Sequence, residues 1–345
     1  MKKPVTIVGG GLAGLSLGIG LRRAGIPVRL HEAGSYPRHR VCGEFICGVS
    51  EAVLQSLGID DVLDDSRPNR STAWFRKDRE ILRQELPFPA SGVSRFALDA
   101  ELARRFQEVG GELRTGDRFR AESNSEESGL VFASGRPRKS DSQWIGLKCH
   151  LRAFSPEADL EMHLGRDGYI GLSRVENGIV NACGLFRIRP DISAKREQLL
   201  PAYLDSCELS ELADRIRRAQ ADPDSAVGVN AFQFGRQGPA KGKPTQFSIG
   251  DQYAIIGPFT GNGMSMAFES AALALPAVEA WSEDEIDWDT AMARYDHEAR
   301  RRFRGRMRLS GWLHPFLMDP TGQRLLSGLA SANLLPFSSL FHALR

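Results

Sequence analysis

The sequence has little of what marks several classes of protein. Cysteine is scarce: Cys42, Cys47, Cys149, Cys183 and Cys207 are five in 345 residues, an odd set without paired spacing. That argues against a disulfide framework, and Cys42 and Cys47 are too far apart for a CxxC redox pair. No histidine cluster completes a zinc site, so no metal ligand is assigned. Reduced thiols in a cytoplasmic protein are the simplest reading. Excess charge is missing too: 45 basic residues against 43 acidic leave +2, which offers nucleic acid no global electrostatic footprint. There is no low-complexity tract and no apolar run long enough to span a membrane. The opening MKKPVTIVGGGLAGLSLGIGL has the outline of a signal peptide, with lysines before an apolar run. It is too rich in glycine, lacks a small-residue cleavage site and continues into Arg22 and Arg23, so it reads as structure.

What is present is an ordinary globular composition, 41% hydrophobic and 26% charged, in a chain long enough for one composite unit or two domains. VTIVGGGLAGLSLGIGLRRAGIPVRLHEA has the layout of a βαβ unit. Val5 to Val8 read as a buried strand, Leu12 to Ala24 as a helix and Val28 to Leu30 as a second strand. Gly9, Gly11 and Gly14 supply GxGxxG spacing between first strand and helix. That spacing gives a tight turn, a bare backbone beside a pyrophosphate and close packing of helix on strand. Leu12 and Ala13 open the helix, whose unpaired N–H groups carry partial positive charge toward the phosphates. Glu32, followed by Ala33, ends the second strand, where a carboxylate can accept hydrogen bonds from a ribose. An acid there argues against a 2′-phosphate, and leaves FAD and NAD.

A second loosened junction decides between them. SIGDQYAIIGPFTGNGMSMAFESA, Ser248 to Ala271, runs from strand to helix through Gly250, Asp251, Pro258, Gly261, Asn262, Gly263 and Met264. Two such junctions in one chain resemble the superfamily of FAD-dependent aromatic hydroxylases (p-hydroxybenzoate hydroxylase-like), geranylgeranyl reductases and flavin-dependent halogenases. The resemblance implies that Gly250-Asp251 is the superfamily's GD motif at the ribityl chain. Pro258 to Met264 would be its loop and helix N-terminus beside the flavin ring, stabilising negative charge there. PRHRVCGEF resembles the RxxCG segment along the flavin, through Arg40, Val41, Cys42 and Gly43. VSRFALDAELARRF resembles its R..LD..L segment and would set Arg95 near flavin or pyrophosphate.

The chain departs from the hydroxylase pattern at Ala133 to Ser142, ASGRPRKSDS, where Ser134 stands in place of the DG aspartate. That puts direct reduction by NAD(P)H in doubt and leaves a separate reductase or a reduced flavin as the other electron source. From Gln143 to Phe186, short runs separated by SPEA, GRDG and ENG read as an antiparallel meander, with Asn177-Gly178 as hairpin turn. Period-2 alternation puts Trp144, Lys148 and His150 on one face and Ile145, Leu147, Cys149 and Leu151 on the other. In the superfamily such a sheet roofs the flavin and lines the substrate cavity. Neither the reductase YxWxFP pattern nor the halogenase WxWxIP pattern is present; Tyr169 in GYIGLSRV takes the tyrosine position. Helices are expected at about Ala194–Ser206 and Leu209–Ala219, then a strand over Ala226–Phe234.

The expected fold is α/β, mixed with α+β: a Rossmann-like FAD-binding domain, an inserted antiparallel-sheet substrate domain and a helical C-terminus. FAD-binding parts are expected at 1–75, 96–140 and 236–285, substrate-domain strands at 76–95 and 141–235, and C-terminal helices at 286–345. Those last helices, basic and aromatic, read as a cap with solvated arginines rather than a membrane-surface contact. Three side chains are the catalytic candidates. Cys42 is either a small buried residue or a cavity-lining group. Glu44 is a proton donor if desolvated, or the partner of a nearby arginine. Tyr169 is a possible substrate contact, as are Lys148 and His150. The favoured function is an FAD-dependent monooxygenase acting on a small apolar, aromatic or polyketide-like substrate. A geranylgeranyl reductase-like saturase is the alternative, and a non-catalytic FAD-binding protein the reading from another class.

Overall fold

A computed structural model of the chain describes residues 1–120, 128–135, 142–230, 234–237 and 246–345. The first strand–helix–strand forms as its pattern predicts, in β1 (Val5–Val8), α1 (Leu12–Arg23) and β2 (Val28–Glu32). These lie in a parallel sheet of order β14-β7-β1-β2-β6, with β6 at Glu112–Thr115, β7 at Leu130–Phe132 and β14 at Phe247–Ser248. α1 is apolar on nearly every side because α3 (Arg95–Glu108) and α6 (Gly263–Ser282) pack on it. Small residues set those approaches: a side chain at Gly18 would meet the Phe106 ring at 2.8 Å, and one at Gly14 the Gly9 carbonyl at 2.0 Å.

The second sheet has the order β12-β8-β11-β10-β9-β4-β5-β3. Its strands are β3 (Phe45–Ile46), β4 (Arg67–Arg76), β5 (Arg79–Gly92), β8 (Trp144–Arg152), β9 (Leu160–Gly165), β10 (Gly168–Arg174), β11 (Val180–Arg187) and β12 (Gln220–Asn230). The sheet is antiparallel except where β4 pairs with β9. Apart from the two-residue β3, it takes up the chain from Arg67, earlier than the boundary expected at 76. Asn177 and Gly178 both hold positive φ, 57° and 68°, as the hairpin between β10 and β11 requires. The expected strand at Ala226–Phe234 is longer at its start and ends at Asn230, and residues 231–233 of that expectation lie outside the described residues.

The sheet's two faces do different things. Leu147, Cys149, Leu151, Ile170, Leu172 and Phe186 pack under α4 (Arg196–Ser206) and α5 (Ser210–Arg218), which bring Leu200, Tyr203, Leu204 and Leu212. Tyr169, Leu185, Met162 and Leu164 face the other way, against Leu317 and Met318 of the long helix α7 (Trp288–Met318). The remaining elements are α2 (Glu51–Leu57), the short pair β13 (Gly235–Arg236) and β15 (Ala254–Ile255), α8 (Pro320–Ser331) and α9 (Phe337–Ala343). The α7 arginines are not all solvated, as a simple cap would have them. Arg306 is buried with Glu269, which also takes Arg302, while Arg300 and Arg236 grip Asp296. No helix among the described residues is long and apolar enough to cross a membrane.

Candidate functional site

The N-terminus of α1 is the point on which the sequence motifs converge. No side chain caps it, so the N–H groups after Gly11 face outward with their partial charge. A Cβ on Gly11 would meet nothing nearer than Arg95 Nη2 at 3.7 Å, whereas one on Gly9 would strike the Ala133 carbonyl at 2.3 Å. The first glycine therefore makes the turn and the second leaves room. Gly250 comes against this helix end from the far end of the sequence: its φ is +60°, and a side chain would sit 2.9 Å from the Ala13 Cβ. Beside it, Ser134 donates to Gln252 at 3.0 Å, so the serine that replaces the expected aspartate still abuts the Gly250–Gln252 turn.

Charge is organised around the same helix end. Arg95 grips Asp99 with two bonds, 2.7 and 2.8 Å, and Arg40 donates at 2.7 Å to Oδ2, the oxygen that also takes Arg95 Nη2. Asp99 is fully buried, and its charge, with Cys42 and Asp251, raises the Arg95 guanidinium against the opposing effect of burial. Glu32 is buried and accepts from the Gly10 and Gly34 amides at 2.9 and 2.8 Å and from Arg38 at 2.8 Å. Burial pushes its carboxyl up, but Arg40, the two amides and Arg38 outweigh it and hold the group below its ordinary value. Ala33, next along the chain, is exposed. Arg38 and Arg40 at the acid were not inferred from the spacing, which had suggested a carboxylate without an arginine pocket.

The second glycine cluster has a mixed cause. Side chains at Gly257 and Gly261 would collide with this protein's own rings, Phe259 at 2.7 Å and Phe45 at 2.1 Å. At Gly263 nothing lies within 4 Å, and α6 starts there with no side-chain cap. Asn262 is buried with its Oδ1 unpartnered, while its amide nitrogen donates to the Thr260 carbonyl at 3.2 Å. Pro258 is exposed and Met264 buried. Two uncapped helix ends, one bare backbone beside each, and an orphaned buried acceptor suit an extended molecule with a diphosphate at one end and a polar ring edge at the other.

Residues 2–137 match the family model described as FAD binding domain. The chain carries an FAD-binding domain. No curated protein sequence matches it. Among solved structures, it is similar to a geranylgeranyl bacteriochlorophyll reductase-like protein of Thermoplasma acidophilum, with TM-score 0.77, 16% identity, and coverage of 99% of this chain and 95% of that one. It is also similar to p-nitrophenol 4-monooxygenase PnpA of Pseudomonas putida, with TM-score 0.74, 16% identity and coverage of 99% and 98%. A third is PqsL of Pseudomonas aeruginosa in complex with 2-aminobenzoylacetate, with TM-score 0.72, 16% identity and coverage of 94% and 98%. These likenesses establish the fold: a Rossmann-like FAD-binding unit joined to a mixed sheet, with helices at the C-terminus.

The sheet turns its polar face toward the FAD-binding side, along the segment from His39 to Glu44. Glu44 does not find an arginine side chain, the partner expected as the alternative to a proton donor. Its fully buried carboxylate takes Lys148 Nζ at 2.8 Å, His150 Nε2 at 2.5 Å and the Arg95 amide at 3.0 Å. Burial raises this carboxyl, but His150 and Lys148 overcome it and hold it low. His39 stands 3.3 Å from Lys148 Nζ and edge-on to His150. Burial first, then Lys148 and His150, push its imidazole down to about 4. Ser173 and Asn181 fasten the same segment, donating to the Gly43 carbonyl at 2.6 and 2.9 Å, with Asn181 also reaching the Cys42 carbonyl at 3.0 Å. Cys42 Sγ accepts from the Glu44 amide at 3.5 Å, and burial pushes its thiol up. Tyr169 lies at the far end of this face beside Phe259, buried, its hydroxyl driven well up by burial. Glu44 and Cys42 thus adjoin, and Tyr169 stands apart from them. His39, Ser173 and Asn181 were missed because no local pattern distinguishes them from ordinary strand and loop residues, and Asp99, the acid of the R..LD..L segment, was not singled out beside Arg95.

Proposed function

We propose that the chain is an FAD-dependent monooxygenase acting on a small aromatic or polyketide-like molecule. One observation carries the reading. In the middle of the eight-stranded sheet, where neighbouring residues are buried, Gly171 and its cross-strand partner Cys183 are partly exposed. A Cβ on Gly171 would meet nothing nearer than 3.7 Å. Small residues thus leave a hollow in the face turned to the FAD-binding side. Tyr169, Trp144 and Phe259 wall one end, and the Cys42–Gly43 backbone with Ser173 and Asn181 closes the other. A hollow of that lining suits a small apolar ligand held against a flat cofactor.

When bound, FAD supplies the redox chemistry. The chain's part is to seat the cofactor, with Gly9, Gly11, Gly14 and the α1 N-terminus at the diphosphate, Glu32 at the adenosine ribose and Gly250-Asp251 at the ribityl chain. Arg40 to Gly43 and Pro258 to Met264 would flank the ring, with the α6 N-terminus toward its polar edge. In this reading the 1–75, 96–140 and 236–285 segments assemble the cofactor site and the 141–235 sheet roofs it. With Ser134 in place of an aspartate, a separate reductase is the favoured electron source. The scarcity of cysteine, five in 345 residues without paired spacing, and the +2 net charge fit a cytoplasmic protein with a small-molecule rather than nucleic-acid partner.

A reductase reading has one observation in its favour: the half-buried Cys42, whose thiol is kept protonated next to Glu44, is a proton source beside the hollow. The two separate in a single experiment, in which FAD-loaded protein is reduced with dithionite and given an aromatic or alkene substrate with and without O₂. The monooxygenase reading expects oxygen incorporation and no anaerobic product. Saturated product formed without oxygen would replace it with the reductase reading. Protein that takes up no FAD would end both.

A further inference from the structure

The helix α7 brings a residue that the cofactor site does not use against the aromatic wall of the hollow. His314 sits among Trp144, Tyr169, Phe234 and Phe259, with ring centroids 5.7, 6.3, 4.8 and 6.2 Å away. Its Nε2 is buried without a hydrogen-bond partner, and so is the Tyr169 hydroxyl, which lies beside the Phe259 backbone without making a well-formed bond. An aromatic cage with two orphaned polar atoms is costly to bury, and one ligand group hydrogen-bonded to both would relieve the cost.

The electrostatics narrow the ligand further. Burial alone acts on His314 and pushes its imidazole down, so at neutral pH it is uncharged. On Tyr169 the influences are burial, the Phe259 backbone and Cys183. Among the described residues, no lysine, arginine or carboxylate acts on either group. An uncharged imidazole and a phenol can each donate or accept one hydrogen bond. They offer an anion no compensating charge, and a carboxylate moved here from water would lose its hydration unpaid. We infer that His314 and Tyr169 form a neutral clamp that selects uncharged aromatic ligands carrying one hydrogen-bonding substituent, and rejects carboxylated or phosphorylated ones.

This rests on the flavoenzyme reading given above, and the test keeps the two apart. FAD stoichiometry is first measured from flavin absorbance. Binding of 2-naphthol, naphthalene and 2-naphthoate to the FAD-loaded protein is then measured by titration calorimetry. The clamp predicts 2-naphthol to bind about tenfold tighter than naphthalene, the size of one good buried hydrogen bond, and 2-naphthoate weakest. His314→Phe should remove the preference for 2-naphthol over naphthalene. His314→Gln should restore part of it, and the near-isosteric Tyr169→Phe should remove part of it with little risk to folding. Full flavin loading with 2-naphthoate bound as tightly as 2-naphthol, with no measurable binding of 2-naphthol, or with the preference intact in both His314→Phe and Tyr169→Phe overturns the clamp alone. Absence of flavin loading overturns the cofactor reading and the clamp with it.

Discussion

Removing one amino group from the interior is the sharpest test of how the two halves of the molecule are joined. Lys148 is buried to its tip, and its ammonium lies 2.8 Å from a carboxylate with no exposure of its own. Changing Lys148→Met keeps the chain's length and deletes the charge. Breaking a buried ion pair from one side costs about 3–5 kcal/mol, because the charge left behind keeps its desolvation penalty. Glu44 would retain His150 and the Arg95 amide, two of its three donors, so a loss of about 3 kcal/mol is expected. Urea unfolding, run with and without FAD so that cofactor affinity separates from folding, measures it. Glu44→Gln in the Lys148→Met background removes the stranded charge, and the pair should couple by about 2 kcal/mol in a double-mutant cycle.

The pH dependence gives a second reading of the same pair. Glu44 is held below its ordinary 4.5, so it contributes stability above that value and loses it as pH falls through its folded value. Without Lys148 the folded value rises, and acid unfolding should begin at higher pH. A midpoint loss equivalent to less than about 1 kcal/mol, or simple additivity within about 0.5 kcal/mol, would refute the claim that this cluster ties the sheet to the FAD-binding side.

Three further outcomes follow from the geometry. His39 titrates near 6.5 in the unfolded chain but near 4 when folded, so stability should fall as pH drops from 6.5 toward 4. His39→Phe should flatten that slope in urea midpoints, and an unchanged slope assigns it to other groups. Gly250→Ala forces a left-handed φ and a 2.9 Å contact onto Ala13, so about 1–2 kcal/mol of strain should appear as weaker FAD binding by fluorescence titration. Gly305→Ala, where nothing lies within 4 Å in mid-helix, is the control and should stabilise slightly; equal effects at the two sites would contradict the packing argument. Burial keeps the Cys42 thiol protonated, so iodoacetamide at pH 8 should label it at least tenfold faster in urea than in the native protein, as read by peptide mass spectrometry. Equal rates would place that thiol in solvent.

What could be read from the sequence were the features written over short spans. β1, α1 and β2 follow from a β-branched run, a glycine spacing and a 3.6-residue period, and the Asn177-Gly178 hairpin from two residues that tolerate positive φ. Alternation along β8 correctly grouped Trp144, Lys148 and His150 on one face. It could not say what that face meets, because the partner is Glu44, 104 residues from Lys148, and is brought there by the whole topology. For the same reason the α7 arginines read as solvated: the acid that buries Arg306 lies 37 residues away on another helix. Glycine was the subtler case, since the same lack of a side chain serves Phe45 at Gly261 and open space at Gly263. The sequence pattern is identical in the two uses, and only the neighbours tell them apart.

The arrangement of β8 also bears on why so much charge is buried beside an apolar hollow. Trp144 and His150 point the same way from one strand, so the aromatic cage and the ionic cluster lie on one surface about 20 Å from end to end at most. An ion pair taken out of water gains little net stability over a well-packed apolar pair, so the Glu44 cluster is poorly explained as a source of stability alone. Its geometry gives it another role. Glu44 holds a left-handed φ of 56° in the chain segment that carries Arg40, Cys42 and Gly43, and its carboxylate also takes the first amide of α3 beside Arg95. Fixing one carboxylate therefore fixes the segment along the cofactor, the helix that carries Arg95 and the roof of the hollow relative to one another. A neutral replacement of similar shape could keep the fold and still lose that register. Hence Glu44→Gln should weaken FAD binding more than its effect on the urea midpoint accounts for, and a loss of affinity no larger than the loss of stability would return the cluster to a purely structural role.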